Sequence, residues 1–359
     1  MIELVRAPHV TRVEIPGPTY THLRRLTDTG GLYEHAEGVT PRPEHGYCLD
    51  DVARALVVVC RDDEAPELDD LREHYLAFVL AAQEPDGRFH NRRHTDLSWT
   101  DTPSVEDCWG RALWALGTAV ARAPHLREQA LAGFDRGAGL RSPHRRAMAF
   151  AALGAAEVLA VLPQHRDARA LMTAVAIAVG RPAPDKAWPW PEPRLSYANA
   201  ALPEALLAAG AVLDSPSLVA DGLRLLGWLL DEQSRDGHLS VVQAGGRGPG
   251  EAGPAFDQQP IEVAALADAC ARAYLIAGRP CWAEGTELAA AWFSGVNDSG
   301  TPMRDPVTGG GFDGLQRVGR NENQGAESTL ALLSTLQQAR SMARHARRTT
   351  RRSMKVVAG

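Results

Sequence analysis

Residues 78–89, Phe-Val-Leu-Ala-Ala-Gln-Glu-Pro-Asp-Gly-Arg-Phe, and residues 228–239, Trp-Leu-Leu-Asp-Glu-Gln-Ser-Arg-Asp-Gly-His-Leu, follow one pattern. Each has an aromatic residue, then Gln five positions on, then Asp-Gly, then an apolar residue after one intervening position. Asp-Gly is a tight-turn signal, because Asp bonds back to the nearby backbone and Gly accepts a positive φ. The pattern therefore reads as a helix that stops at a tight turn and is followed by an apolar plug. Looser echoes stand at Gly31-Leu32-Tyr33 and Gly310-Gly311-Phe312. A recurring helix-turn-plug unit is the mark of an internal repeat of helical hairpins, and few folds accept one.

Apolar spacing extends the repeat to the whole chain. After an extended lead-in over 1–18, helical periodicity or capping signals recur near 19–27, 48–60, 68–83, 104–116, 125–134, 143–162, 166–179, 197–210, 215–233, 260–277, 280–293 and 323–340. No stretch alternates convincingly as strands would, so a βαβ fold is excluded. Six of these helices, starting near 50, 106, 143, 197, 260 and 323, begin with a cluster of polar residues and continue rich in Ala and Leu. Helices apolar on most sides are buried helices. The expectation is an all-α chain, with twelve helices paired as six hairpins and closed into an (α/α)6 toroid, the polar heads gathered at one end. Residues 1–340 then form one domain, and 341–359 a basic, disordered tail.

Charge and cysteine content narrow the function. The net charge is -6, although seven basic residues and no acid occupy the stretch from Arg340 to the end. The body ahead is thus more acidic still, which disfavours nucleic acid as a partner. Five cysteines without a CxxC pair form neither a disulfide framework nor a zinc ribbon. No apolar run reaches membrane-spanning length, and no basic region followed by an apolar core opens the chain, so a cytoplasmic protein without membrane association is expected. There is no Walker A sequence, no dinucleotide fingerprint and no G-x-S-x-G elbow. His90 and His94 are four apart, but in a loop after Pro85 and Gly87, so neither a metal nor a cofactor is expected.

The six heads carry the chemistry. They are Asp50 and Asp51, Glu106 and Asp107, His144, Tyr197 and Asn199, then Asp257, Gln258 and Gln259 with Glu262, and finally Asn321, Glu322, Asn323, Gln324 and Glu327. Trp99, Trp109 and Trp190 accompany them. Carboxamides both donate and accept hydrogen bonds, which suits a polyhydroxylated ligand. Flat aromatic faces cover the apolar sides of sugar rings, and paired carboxylates supply acid and base at a glycosidic bond. Each head also has a duller reading as a helix cap. Ser104 and Asp107 resemble a capping box, and Glu262 sits in the first turn after Pro260.

With these residues in hand, the chain resembles the (α/α)6-barrel, or six-hairpin glycosidase, superfamily. Within it, His45–Leu56, Glu106–Leu113, Phe256–Glu262 and Asn321–Thr329 are similar to bacterial proteins labelled as glycosyltransferases. Nothing in the chain resembles the parallel-stranded nucleotide-sugar fold of a true glycosyltransferase, so that label implies a glycosyltransferase encoded nearby as partner rather than the activity. The resemblance implies a carbohydrate-active enzyme acting on an oligosaccharide or glycoside, a glycoside hydrolase first. Asp50, Asp51, Asp107, Glu262 and Glu322 are the candidate catalytic carboxylates. Trp99, Glu106, Trp109, Trp190, Tyr197, Asn199, Asp257, Gln258, Gln259, Asn321, Asn323, Gln324 and Glu327 are the candidate substrate contacts. Two other readings stay open: a sugar epimerase or uronate-processing enzyme on the same ring, and a non-catalytic glycan-binding partner.

Overall fold

A computed structural model describes residues 14–62 and 65–357, with side chains described as far as Ala346. Most of the expected lead-in, residues 1–13, lies outside them. Among the described residues, twelve α-helices follow one another: α1 Thr21–Leu26, α2 Leu49–Arg61, α3 Asp69–Ala81, α4 Asp107–Arg122, α5 Arg127–Ala138, α6 Arg145–Val161, α7 Arg166–Val179, α8 Ala201–Val212, α9 Pro216–Glu232, α10 Pro260–Ala277, α11 Pro280–Phe293 and α12 Ala326–Val357. The strands among the described residues are two-residue ladders between loops.

The even-numbered helices form the inner wall. α2 packs on α4, α4 on α6, α6 on α8, α8 on α10, α10 on α12, and α12 returns to α2. The ring is therefore closed. The odd-numbered helices lie outside it, each against the inner wall, with α1 on α12. This is the expected (α/α)6 toroid. Its inner helices are apolar almost all round: in α4, every residue from Cys108 to Val120 is buried. Small residues set the tightest approach, between α4 and α6. A Cβ on Gly117 would lie 2.1 Å from the Gly154 carbonyl oxygen, so neither position admits a side chain.

The repeat motif has a plain structural role. Gly87, at φ 89°, makes the turn after α3, and Gly237, at φ 83°, makes the turn after α9. The motif glutamines are buried beneath these turns. Gln83 donates to the Gly133 carbonyl at 2.9 Å, and Gln233 accepts from the Val242 amide at 3.0 Å. The plugs Phe89 and Leu239 are fully buried.

Three helix starts differ from expectation. α4 begins at Asp107 rather than at Ser104, because Ser104 bridges to the Phe89 backbone and its hydroxyl accepts from the Glu106 amide. The Ser104–Asp107 capping box is not formed. α8 begins at Ala201 rather than near 197, with Pro203 in its first turn. α12 begins only at Ala326, because Arg320 and Asn321 pair in a ladder with Gly314 and Leu315. α12 then continues without a break across residue 340, where the tail was expected to start.

Candidate active site

The inner helices present their N-terminal ends to one mouth of the ring. There Asp50, Glu106, Asp107, Arg111, His144, Arg145, Arg146, Glu192, Tyr197 and Glu327 surround a cleft of about 910 Å³. Five of the six heads meet here, those of α2, α4, α6, α8 and α12; the α10 head does not line the cleft. The α8 hairpin contributes Tyr197 from the loop ahead of it.

Asp107 is the first residue of α4, and its carboxylate accepts a hydrogen bond from the Tyr197 phenol. Burial, followed by the neighbouring Asp107 charge, raises the pKa of that phenol. The Tyr197 ring lies under the Arg146 guanidinium, 4.9 Å from its centroid. Arg111, one turn into α4, stands 3.8 Å from both Asp50 and Asp107. Its guanidinium covers the Phe150 ring at 4.8 Å. Asp50 is oriented by Asn91, which donates its side-chain amide at 3.1 Å. Glu106 is exposed, and its side chain makes no hydrogen bond among the described residues. Glu327, the first acid of α12, pairs with Arg54 of α2 at 2.8 Å.

Two other candidate carboxylates sit behind the cleft rather than in it. Asp51 is 2 % exposed and paired with Arg54, yet burial still pushes its pKa up to about 6. Glu262 is equally buried, and desolvation pushes its pKa up to about 7 against the hydrogen bond that Asn199 donates at 2.8 Å. Asn199 in turn accepts from Arg146 at 3.0 Å, and Arg146 pairs with Glu192 at 2.9 Å. A chain of polar contacts thus runs from the cleft wall into the core. Asn199 and Glu262 brace that wall and do not line the cleft.

The remaining candidates lie elsewhere. Glu322 is largely exposed and pairs with Arg320 in a separate surface groove, away from Asp50 and Asp107. Asn321 and Asn323 shape that loop: Asn321 accepts from the Asn323 amide at 3.1 Å, and Asn323 accepts from the Gly38 amide at 2.9 Å. Gln324 is buried between Thr308 and Asp305. Gln258 is buried and donates to Asp298 at 2.6 Å, while Asp257 is exposed and Gln259 caps α10 with its backbone alone. Trp109 is fully buried and donates to the Gly137 carbonyl at 3.2 Å. Trp190 is 2 % exposed and stacks on Trp228. Neither indole face is open to a ligand. Trp99 is half-buried between His90, on which it stacks, and Arg93.

Below the cleft the ring narrows. Arg111 and Glu327 also border a cavity of about 50 Å³ lined by Val57, Trp114, Phe150, Ile261 and Leu330. Its floor is closed by two ion pairs, Glu204 with Arg272 at 2.9 Å and Asp268 with Arg61 at 2.8 Å. Among the described residues, one group of three possible metal ligands stands close together, Glu34, Cys48 and Asp51. Arg92 pairs with Glu34 and Arg54 with Asp51, so cations of the chain itself already balance those carboxylates. All five cysteines are free thiols, and no helix among the described residues is long and apolar enough to cross a membrane.

No family model and no curated protein matches the chain. Solved structures do. A sugar epimerase from a ruminal bacterium superposes with a TM-score of 0.68 at 14% identity, covering 89% of this chain and 95% of that one. Cellobiose 2-epimerase from Spirochaeta thermophila gives 0.64 at 13% identity, covering 89% and 93%. An inactive variant of the α-1,6-mannanase of Salegentibacter, in complex with α-1,6-mannotriose, gives 0.63 at 10% identity, covering 90% and 96%. Together with the closed ring of six hairpins, these likenesses show that the chain has the (α/α)6-barrel fold.

Proposed function

We propose that the protein is a carbohydrate-active enzyme that hydrolyses a glycosidic bond in the mouth cleft, with Asp107 and Glu106 as its reacting carboxylates. The observation that carries this reading is that two adjacent carboxylates at the head of α4 both line the cleft of about 910 Å³ at the mouth of the ring. Asp107 is held in orientation by Tyr197, as a nucleophile or base must be. Glu106 is unrestrained and serves as the proton carrier. The mannanase likeness supports the assignment, because the inactive variant has two adjacent aspartates replaced. This chain has two adjacent acid pairs at inner-helix heads, but in the Asp50–Asp51 pair the second member is buried against Arg54.

A second reading, epimerisation of a sugar, is favoured by His144, a proton carrier at the same mouth, and by the likeness to two sugar epimerases. One assay separates them. The purified protein is incubated with a panel of neutral oligosaccharides and the products are resolved. Shorter sugars with new reducing ends support hydrolysis, an isomer of unchanged mass supports epimerisation, and binding without turnover supports a glycan-binding protein.

A further inference from the structure

Asp107, Arg111 and Trp114 follow one another at i, i+4 and i+7, so they lie along one face of α4 and lead from the cleft into the ring. Trp114 stacks on Phe150 of α6, with centroids 5.8 Å apart and planes 15° apart. The Arg111 guanidinium covers the Phe150 ring at 4.8 Å, and the Arg61 guanidinium covers the Trp114 ring at 5.3 Å. Four planar groups thus form one wall of the bore between cleft and floor. α4 and α6, which carry three of them, are held by close backbone contact at Gly117 and Gly154, so the wall is rigid.

α10 and α12 face this wall with Ile261, Ala264 and Ala331. The walls keep surface toward the bore: Trp114 is 8 % exposed and Ile261 7 %, although both belong to inner helices. The charged groups at its two ends are already paired by the chain. Arg54 binds Asp51 and Glu327, Glu204 binds Arg272, and Asp268 binds Arg61. What lies between them is hydrocarbon and aromatic ring. Water needs two to four polar partners and gains little there, whereas an alkyl group gains by leaving water. The bore of about 50 Å³ is larger than the ~10–15 Å³ that one water needs and smaller than the ~150 Å³ that admits benzene. That suits about two or three carbon atoms.

We propose that the bore is a subsite for a short alkyl group carried by the sugar in the mouth cleft. Arg111 and Glu327 line both spaces, so a ring in the cleft has the bore beneath it. The inference deepens the sugar-site reading of the mouth and rests on it. The group is either the methyl of a 6-deoxy ring or a short aglycone, since both present the same hydrocarbon to Phe150 and Trp114.

The test begins with wild-type crystals under xenon, which enters apolar cavities without needing a sugar. In solution, the methyl to pentyl glycosides of D-mannose and D-glucose are titrated, and 6-deoxy-D-mannose is compared with D-mannose. Xenon is expected in the bore. Affinity should rise about fourfold per added carbon up to the third and then level off, which identifies an aglycone, or 6-deoxy-D-mannose should exceed D-mannose at least fourfold, which identifies a ring methyl. Ala264→Leu fills the bore and should abolish the gain while leaving the affinity for the parent sugar unchanged. No xenon in the bore, sugar binding without either gain, a gain that continues to pentyl, or a gain kept in a folded Ala264→Leu protein overturns the subsite and leaves the sugar-site reading standing. No binding of any of these sugars overturns both.

Discussion

Arg54 of α2 donates to Glu327 of α12 over 2.8 Å, joining residues 273 positions apart and spanning the seam where the ring closes. The same guanidinium pairs with buried Asp51, so one cation serves two carboxylates of the closure. Removing one partner of a buried pair leaves an uncompensated charge, which costs about 3–5 kcal/mol. Arg54→Met is therefore expected to lower the unfolding free energy by that amount in urea denaturation. Adding Asp51→Asn should restore much of the loss. A cost below about 1 kcal/mol, the range of an exposed pair, would deny the closure pair a stabilising role.

The raised pKa of Glu262 gives a pH signature. Burial pushes it up to about 7 in the folded protein, against 4.5 for a freely solvated glutamate. Between these values the folded protein keeps a proton that the unfolded chain has released. Stability is therefore full below 4.5 and falls as pH rises through this window, by a total on the order of 3 kcal/mol. Asp51 adds a slope of the same sign from 3.8 to about 6. Glu262→Gln keeps the bond from Asn199 and removes the titration. It should match the wild type near pH 4.5 and exceed it in stability at pH 7. Parallel pH–stability curves for the two proteins would contradict this.

Trp190 fills the space between Trp228 and the inner wall, so it belongs to the core and not to a sugar platform. Trp190→Ala is expected to cost about 3–5 kcal/mol in chemical denaturation and to leave sugar affinity unchanged in the protein that remains folded. A weakened affinity with an unaltered unfolding midpoint would return it to the site.

These cases show what the sequence discloses. The Asp-Gly turns, the buried plugs and the polar residues at the starts of α2, α4 and α6 are legible from short local patterns. Trp109 and Trp190 look like sugar platforms in sequence because an indole is equally at home in a core, and only packing decides. The run 321–324 looks like a helix head because polar residues favour first turns. A two-residue ladder to 314–315 instead holds it as a loop that spends its side chains on Gly38, Asp305 and Thr308. The arginines were the largest omission. Arg54 and Arg111 lie three and four residues after Asp51 and Asp107 on otherwise apolar helices, which is the spacing of an intrahelical ion pair. A cation at that spacing on a buried face was a legible signal. Arg146, by contrast, meets Glu192 and Asn199 only through the fold.

Asp107→Asn separates a reacting carboxylate from a merely structural one. The substitution keeps the side-chain shape at the head of α4 and an oxygen for the Tyr197 phenol, while removing the reactive carboxylate. Wild type and variant are compared on the best substrate of the oligosaccharide panel, with melting temperature and sugar affinity measured alongside. A catalytic Asp107 requires a loss in kcat of about a hundred- to ten-thousandfold, with both controls nearly unchanged. Turnover retained within about tenfold of wild type, a barrier change of only ~1.4 kcal/mol, would contradict a catalytic Asp107 and move the search to Asp50 and Glu327.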